Sequence, residues 1–258
     1  MRDAQVTPEG ARIRWVDMPG DPRRATRVFL HGLGASAAPY FAASAAHPAL
    51  AGHRSLLVDL LGFGISDRPA DFGYTLEDHA DAVATALETS GVRAADVVGH
   101  SMGGAVAIVL AARHPHLVGR LVLVDAALDP TPVVHGRPGV SGIAAYTEEE
   151  FLAGGWREIR EVAGPHWWST MRLAGREALY RSAVHRARGT TPTLRELLLA
   201  LPIPRTCLRP KADQPLPGAQ ELAEAGVAVV SIPDSGHNIM LDNPDAFAQA
   251  TAHALRAA

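Results

Sequence analysis

The sequence predicts an α/β fold: a mostly parallel central sheet flanked by helices, with a helical cap inserted into it. Three observations carry this. From residue 13 to 125, apolar runs of strand length alternate with helix-length segments. From 126 to about 201 that rhythm stops, and helical pieces follow one another without a strand. It then resumes with two strand-like runs and a closing helix.

In chain order, residues 13–16 and Arg27–Leu30 read as the first strands. Ser55–Asp59 carries a continuous apolar run, Leu56, Leu57 and Val58, as a strand covered on both faces requires. Thr75 is placed as the N-cap of a helix with Glu77 and Asp78 in its first turn. That helix carries Leu76, Ala80, Val83, Ala84 and Leu87 at helical spacing and stops near Gly91. Next come a strand over 96–99, a helix over Met102–Arg113 halted by Pro115, and a strand over 121–125. Helical pieces are expected at 148–152, 156–162, Arg176–Arg188 and 194–201, punctuated by prolines. Strands return at 206–208 and Val227–Ile232, and a last helix starts at Pro244. The chain thus divides into a core of 1–125 and 203–258 and a cap of 126–202.

Composition removes several chemistries. With 24 basic and 27 acidic residues the net charge is −3, so no nucleic-acid partner is expected. Lys211 is the sole lysine; every other basic residue is arginine, a bias that with the abundant alanine reads as GC-rich bacterial coding. Cys207 is the sole cysteine, which excludes an internal disulfide framework or a thiolate zinc cluster, and it reads as a buried strand thiol. Residues 1–5 hold no apolar stretch, and no uninterrupted run approaches the roughly 18 residues of a membrane span. The expectation is a cytoplasmic chain with no membrane partner. The composition leaves the oligomeric state open.

Gly99, His100, Ser101, Met102 and Gly103 form G-x-S-x-G, with an apolar strand leading in and a helix leading out. The turn is tight, so residues two before and two after the serine must be small, and the hydroxyl is pushed into the open. Met102 N–H, opening the helix, is then a candidate oxyanion donor. His100 is expected to be structural, pointing away if Ser101 points out. A second loop, His31, Gly32, Leu33 and Gly34, follows another apolar strand and offers Leu33 N–H as the second donor. His114 and His116 flank a proline at a helix end and read as surface residues, and no other spacing suits a metal. No dinucleotide or phosphate loop is present in the sequence, so no cofactor is expected.

With these motifs the chain resembles the α/β-hydrolase family along almost its whole length. The run from Asp59 to Pro69 is similar to the strand-four loop of its esterase, C–C hydrolase and dehalogenase branch, and Ile65 and Ser66 are expected to border the cleft. Ser235, Gly236 and His237, with Asn243 and Pro244 opening the last helix, resemble the catalytic-histidine loop, which implies His237 as the base. For the triad acid the resemblance leaves two positions. Asp213 follows the post-cap strand, but Pro210 replaces the usual glycine and the 24-residue spacing to His237 is about a helical turn short. Asp125, at the end of the strand before the cap, is where some members carry it, and the altered loop favours Asp125 over Asp213. The resemblance implies a serine hydrolase acting through an acyl-serine on a small-molecule ester or thioester. Serine at 101 argues against the dehalogenase and epoxide hydrolase branches, which use aspartate there. Acyl transfer, C–C hydrolysis and ligand binding without turnover remain open. The cap concentrates aromatic residues, including Tyr146, Trp156, His166, Trp167 and Trp168. Most should pack it onto the core; Trp167 and Trp168 are the candidates for the substrate pocket.

Overall fold

The computed structural model describes residues 1–211 and 216–256. Eight strands form one sheet: β1 (Arg2–Gln5), β2 (Arg12–Met18), β3 (Arg27–Leu30), β4 (Ser55–Asp59), β5 (Ala95–His100), β6 (Val118–Val124), β7 (Arg205–Pro210) and β8 (Val227–Ile232). Their spatial order is β1-β2-β4-β3-β5-β6-β7-β8, antiparallel at the β1–β2 and β2–β4 pairs and parallel elsewhere.

The apolar runs alternate in direction residue by residue. Val28, Leu30, Leu56, Val58, Val97, Leu121 and Leu123 enter one core, while Phe29, Leu57, Val98, Val122 and Val124 enter the other. This is why the central strands are apolar without a break: each face is covered. The first face is covered by α2 (Leu76–Thr89) and α3 (Met102–Arg113), the second by α1 (Ala37–Ala46), α10 (Ile239–Asp242) and α11 (Pro244–Ala254). The short α9 (Ala219–Glu224) adds Leu222 to the first core. α2 begins at the expected N-cap, Thr75, which the structure shows as a capping box: Asp78 N–H donates to Thr75 Oγ1 at 3.0 Å, and Thr75 N–H to the Asp78 carboxylate at 3.1 Å.

Between β6 and β7 lie α4 (Gly139–Ile143), α5 (Glu148–Glu150), a π-turn (Phe151–Gly155), α6 (Trp156–Met171), α7 (Arg176–Arg188) and α8 (Leu194–Ala200). The helix expected to end by residue 162 instead breaks at Gly164, where φ is 70° and ψ 161°, and restarts at Pro165. Proline suits a first helical turn, so the restart carries the chain on to Met171 and takes both adjacent tryptophans with it. α8 buries Leu194 and Leu198 in the main core beside α3. Besides the short α4, α9 and α10, β1 and α1 were not anticipated. β1 is a polar edge strand, and α1 is apolar on most sides, so neither shows a periodic stripe. Among the described residues no helix is long and apolar enough to cross a membrane.

Candidate active site

β5, β6 and β8 all deliver site residues at their carboxyl ends, the edge where an open parallel sheet receives ligands. Ser101 is the single residue between β5 and α3, with φ 51° and ψ −117°. Such a backbone costs about 1–3 kcal/mol and persists only where the surroundings enforce it. Here they do. Ser101 N–H donates to Val124 O at 2.9 Å, and Gly104 N–H returns to Ser101 O at 3.0 Å. A methyl group on Gly99 would sit 2.5 Å from Gly103 O, and one on Gly103 2.4 Å from Leu30 O. Both flanking glycines are therefore required by the approach of β3, the elbow and α3.

Asp125 is the first residue after β6. Its φ is 43°, and its N–H donates to Leu208 O at 2.8 Å, continuing the ladder to β7. The pairing of β6 with β5 on one side and β7 on the other thus sets Asp125 next to the elbow. His237 lies on the loop from β8 to α10. Ser235 Oγ–H donates to Ile232 O at 3.0 Å, Gly236 N–H to the Asp242 carboxylate at 2.9 Å, and Asn243 Nδ2–H to Pro233 O at 2.9 Å. These bonds brace the loop at both ends. His237 Nδ1 lies 2.6 Å from Asp125 Oδ2. A carboxylate accepts, so Nδ1 carries the proton and Nε2 keeps its lone pair. Asp213 lies outside the described residues.

His100 departs in part from its expected role. It is buried, but its ring borders the same cavity as Ser101, 4.7 Å from the His237 ring centroid. Its Nε2–H donates to His237 O at 2.9 Å, and burial holds the imidazole well below the ordinary histidine range. His100 therefore holds the backbone of the histidine loop. The two residues are 137 positions apart, and no local pattern signals the pairing.

The loop after β3 is fixed from beneath. Leu60 N–H donates to His31 Nε2 at 3.1 Å, which leaves Nδ1–H to donate to Gly32 O at 2.7 Å. Peptide C=O and N–H point oppositely across a trans bond, so holding Gly32 O directs Leu33 N–H away from the ring. Buried Asp59 accepts from Ser36 Oγ–H at 3.0 Å, Ala37 N–H at 2.6 Å and Ile65 N–H at 2.8 Å. It thereby joins the start of α1 to the strand-four loop. From above, Trp167 Nε1–H donates to Leu33 O at 2.8 Å. Met102 is buried in the first turn of α3, where helix N–H groups have no intrahelical partner.

A cavity of about 760 Å³ joins Ser101, His237, Asp125, Leu33 and Trp167, with apolar walls from Leu128, Pro130, Pro132 and Val140 of the inserted segment. Trp168 is not on this wall; it is half-buried beneath the Arg160 guanidinium, 5.2 Å away. The remaining cap aromatics mainly pack. Tyr146 Oη–H donates to Glu158 at 2.7 Å, and Trp156 lies between Arg157 and Arg176. The expectation for Ile65 and Ser66 is corrected as well: Ser66 is buried and accepts Arg14 N–H at 2.8 Å, Ile65 faces solvent, and neither lines the cavity. The Cys207 thiol is buried on β7 and pushed up to about 12, which keeps it unreactive. His114 and His116 are taken by Asp81 at 2.7 Å and Glu88 at 3.1 Å.

Residues 28–218 match the alpha/beta hydrolase fold family. The 2-hydroxymuconate semialdehyde hydrolase of Pseudomonas sp. (strain CF600) is 40% identical over 119 residues, covering 45% of this chain and 41% of that protein. The probable lysophospholipase BODYGUARD 3 of Arabidopsis thaliana is 37% identical over 43% of this chain and 23% of its own length. The matched part thus spans about two fifths or less of these curated relatives. Among solved structures, an esterase from Exiguobacterium antarcticum aligns with a TM-score of 0.78 over 99% of both chains at 22% identity. A meta-cleavage product hydrolase from Pseudomonas fluorescens IP01 aligns at 0.69 over 99% of this chain and 97% of its own, at 19% identity. At such identities the likeness speaks for the fold. Together with the family match over most of its length, it establishes that this chain belongs to the alpha/beta hydrolase fold family.

Proposed function

We propose that the chain is a serine hydrolase that cleaves a carboxylic ester or thioester of a small to medium, largely apolar substrate through an acyl-serine. Ser101 is the nucleophile, His237 the base and Asp125 the acid that holds its tautomer. One observation carries this reading: a serine strained to φ 51° shares a cavity with a histidine whose Nδ1 is 2.6 Å from a carboxylate. That arrangement leaves His237 Nε2 as the one ring nitrogen able to take a proton.

In the forward step, Nε2 takes the Ser101 proton while Oγ attacks the acyl carbonyl. Leu33 and Met102 N–H bind the oxyanion; together, two such donors lower the barrier by several kcal/mol. Collapse expels the alcohol or thiol, which receives the proton from His237. Water then enters and gives a proton to Nε2 as its oxygen bonds to the acyl carbon; collapse breaks the bond to Ser101, whose Oγ takes that proton back from Nε2 as the acid leaves. The residues of this chain supply every proton transfer in that sequence.

A second reading, hydrolysis of a carbon–carbon bond, is favoured by the 40% identity to a 2-hydroxymuconate semialdehyde hydrolase. Short-chain p-nitrophenyl esters test the first reading. Purified enzyme should release p-nitrophenol, and Ser101→Ala should abolish the release. Undiminished turnover by Ser101→Ala would overturn the assignment, and cleavage of vinylogous diketo acids without ester turnover would favour the second reading.

A further inference from the structure

The hydrolytic steps leave a buried charge on the cavity wall unused. Arg186, in the last turn of α7, is 3% exposed, yet its side chain lines the cavity shared by Ser101 and His237. Two of its N–H groups donate to main-chain carbonyls, one to Asp129 O at 3.3 Å and one to Ala127 O. Among the described residues no carboxylate lies within ion-pair distance of it. The two acidic residues on the same wall are engaged elsewhere. Asp125 accepts from His237, and Asp129 is held by Arg195 through bonds of 2.9 and 2.6 Å.

A guanidinium carries five N–H donors and stays charged, so burying it without a counterion is costly. Asp129 still draws on it electrostatically, but burial outweighs that pull. The neutral carbonyls of the loop after β6 orient the fork without cancelling its charge. The same cavity also presents apolar walls, from Leu128, Pro130, Pro132 and Val140.

We infer that Arg186 anchors a carboxylate of the substrate, so that the preferred ester is one whose apolar chain ends in a carboxylate away from the scissile bond. This deepens the hydrolase reading and rests on it. Binding would bridge α7 and the loop after Asp125, tying recognition of the far end to the segment that carries the acid.

The test compares p-nitrophenyl esters bearing a free terminal carboxylate with terminal carboxamides of equal length, over a series of lengths. Wild type, Arg186→Gln and Arg186→Lys are measured, each read as its own ratio of carboxylate to carboxamide kcat/KM. The wild-type ratio should reach about tenfold at one preferred length, mostly through KM, as a charge-assisted bond provides. It should collapse towards one in Arg186→Gln and survive in part in Arg186→Lys. A wild-type ratio near one at every length overturns the anchor while leaving ester hydrolysis standing. A preference that persists in Arg186→Gln also overturns it, since another group then binds the anion. If no ester turns over, the ester-hydrolase reading fails. In that event, calorimetric titration of wild type with the free carboxylates and their amides decides the anchor separately: carboxylate-only binding supports it and equal binding refutes it. Should Arg186→Gln not fold, the wild-type pair and Arg186→Lys decide.

Discussion

Asp125→Asn separates the chemistry of the site from its folding. Asp125 sits at φ 43°, a region that asparagine tolerates better than most residues, and its N–H bond to Leu208 O is main-chain. The substitution should therefore cost under about 1 kcal/mol of stability. Its effect on the reaction should be much larger. The carboxylate lies 2.6 Å from His237 Nδ1, the length of a strong charge-assisted bond. In the proposed mechanism it fixes the Nδ1–H tautomer and supports the imidazolium that forms as Ser101 loses its proton. An amide facing Nδ1 with its NH₂ reverses the tautomer; facing with its oxygen, it keeps the tautomer but withdraws the charge. Loss of such an acid costs up to about 10⁴-fold in rate. The Asp125 side chain is 17% exposed and that of His237 56%, so solvent screens part of the interaction. That places the expected loss nearer 10²–10³-fold, or about 3–4 kcal/mol of barrier. Stopped-flow release of p-nitrophenol under single-turnover conditions measures the acylation rate, with Asp213→Asn alongside. Asp125→Asn should lose acylation, and Asp213→Asn should stay near wild type. The reverse pattern would refute the assignment of the acid.

Removing the His31 ring, in His31→Phe, leaves buried Leu60 N–H without a partner, at about 1–3 kcal/mol in stability, and leaves Gly32 O with only the Ala35 N–H bond of 3.1 Å. It also removes the shorter of the two bonds that hold the Gly32–Leu33 peptide, so kcat should fall by up to about 10²-fold with little change in KM; a purely thermal effect would make the ring structural only. Trp167→Phe deletes the indole bond to Leu33 O and should lower kcat/KM by about three- to tenfold; unchanged kinetics would detach the cap from that loop. Burial keeps His31, His79 and His100 below the ordinary value of 6.5, His79 at about 3. In the unfolded chain they titrate normally, so the unfolded state binds more protons and stability falls as pH drops from about 6.5. Each fully displaced histidine contributes a slope of about 1.4 kcal/mol per pH unit. Urea midpoints should decline between about pH 7 and 5, less steeply in His79→Gln; pH-independent midpoints would contradict this.

What the sequence made legible was whatever depends on short-range pattern. The alternation of β3, β4 and β5 reflects burial on both faces, and the strand–serine–helix turn needs glycines at fixed offsets; both are local. Thr75 and Asp78 announce α2 by the bonds they make within four residues. The choice between Asp125 and Asp213 was not local, because each follows a strand. Only the lateral pairing of β6 between β5 and β7 brings Asp125 to the elbow. His100 holding His237 O, Trp167 holding Leu33 O and Arg186 turned into the cavity join residues far apart in the chain. In the sequence Arg186 is one more cation in the last turn of a helix, a place where cations are common for dipole reasons alone. The run-on of α6 past Gly164 was hidden because glycine followed by proline signals an end, and here it also starts the next helical piece.

An acyl-serine mechanism requires a covalent intermediate at Ser101. Acid quenching during turnover of a p-nitrophenyl ester, followed by mass spectrometry of the digested protein, reads it directly. The acyl group should appear on the peptide containing Ser101 and should build up when deacylation is slow. Turnover with unmodified Ser101, or an adduct on another residue, would contradict the account.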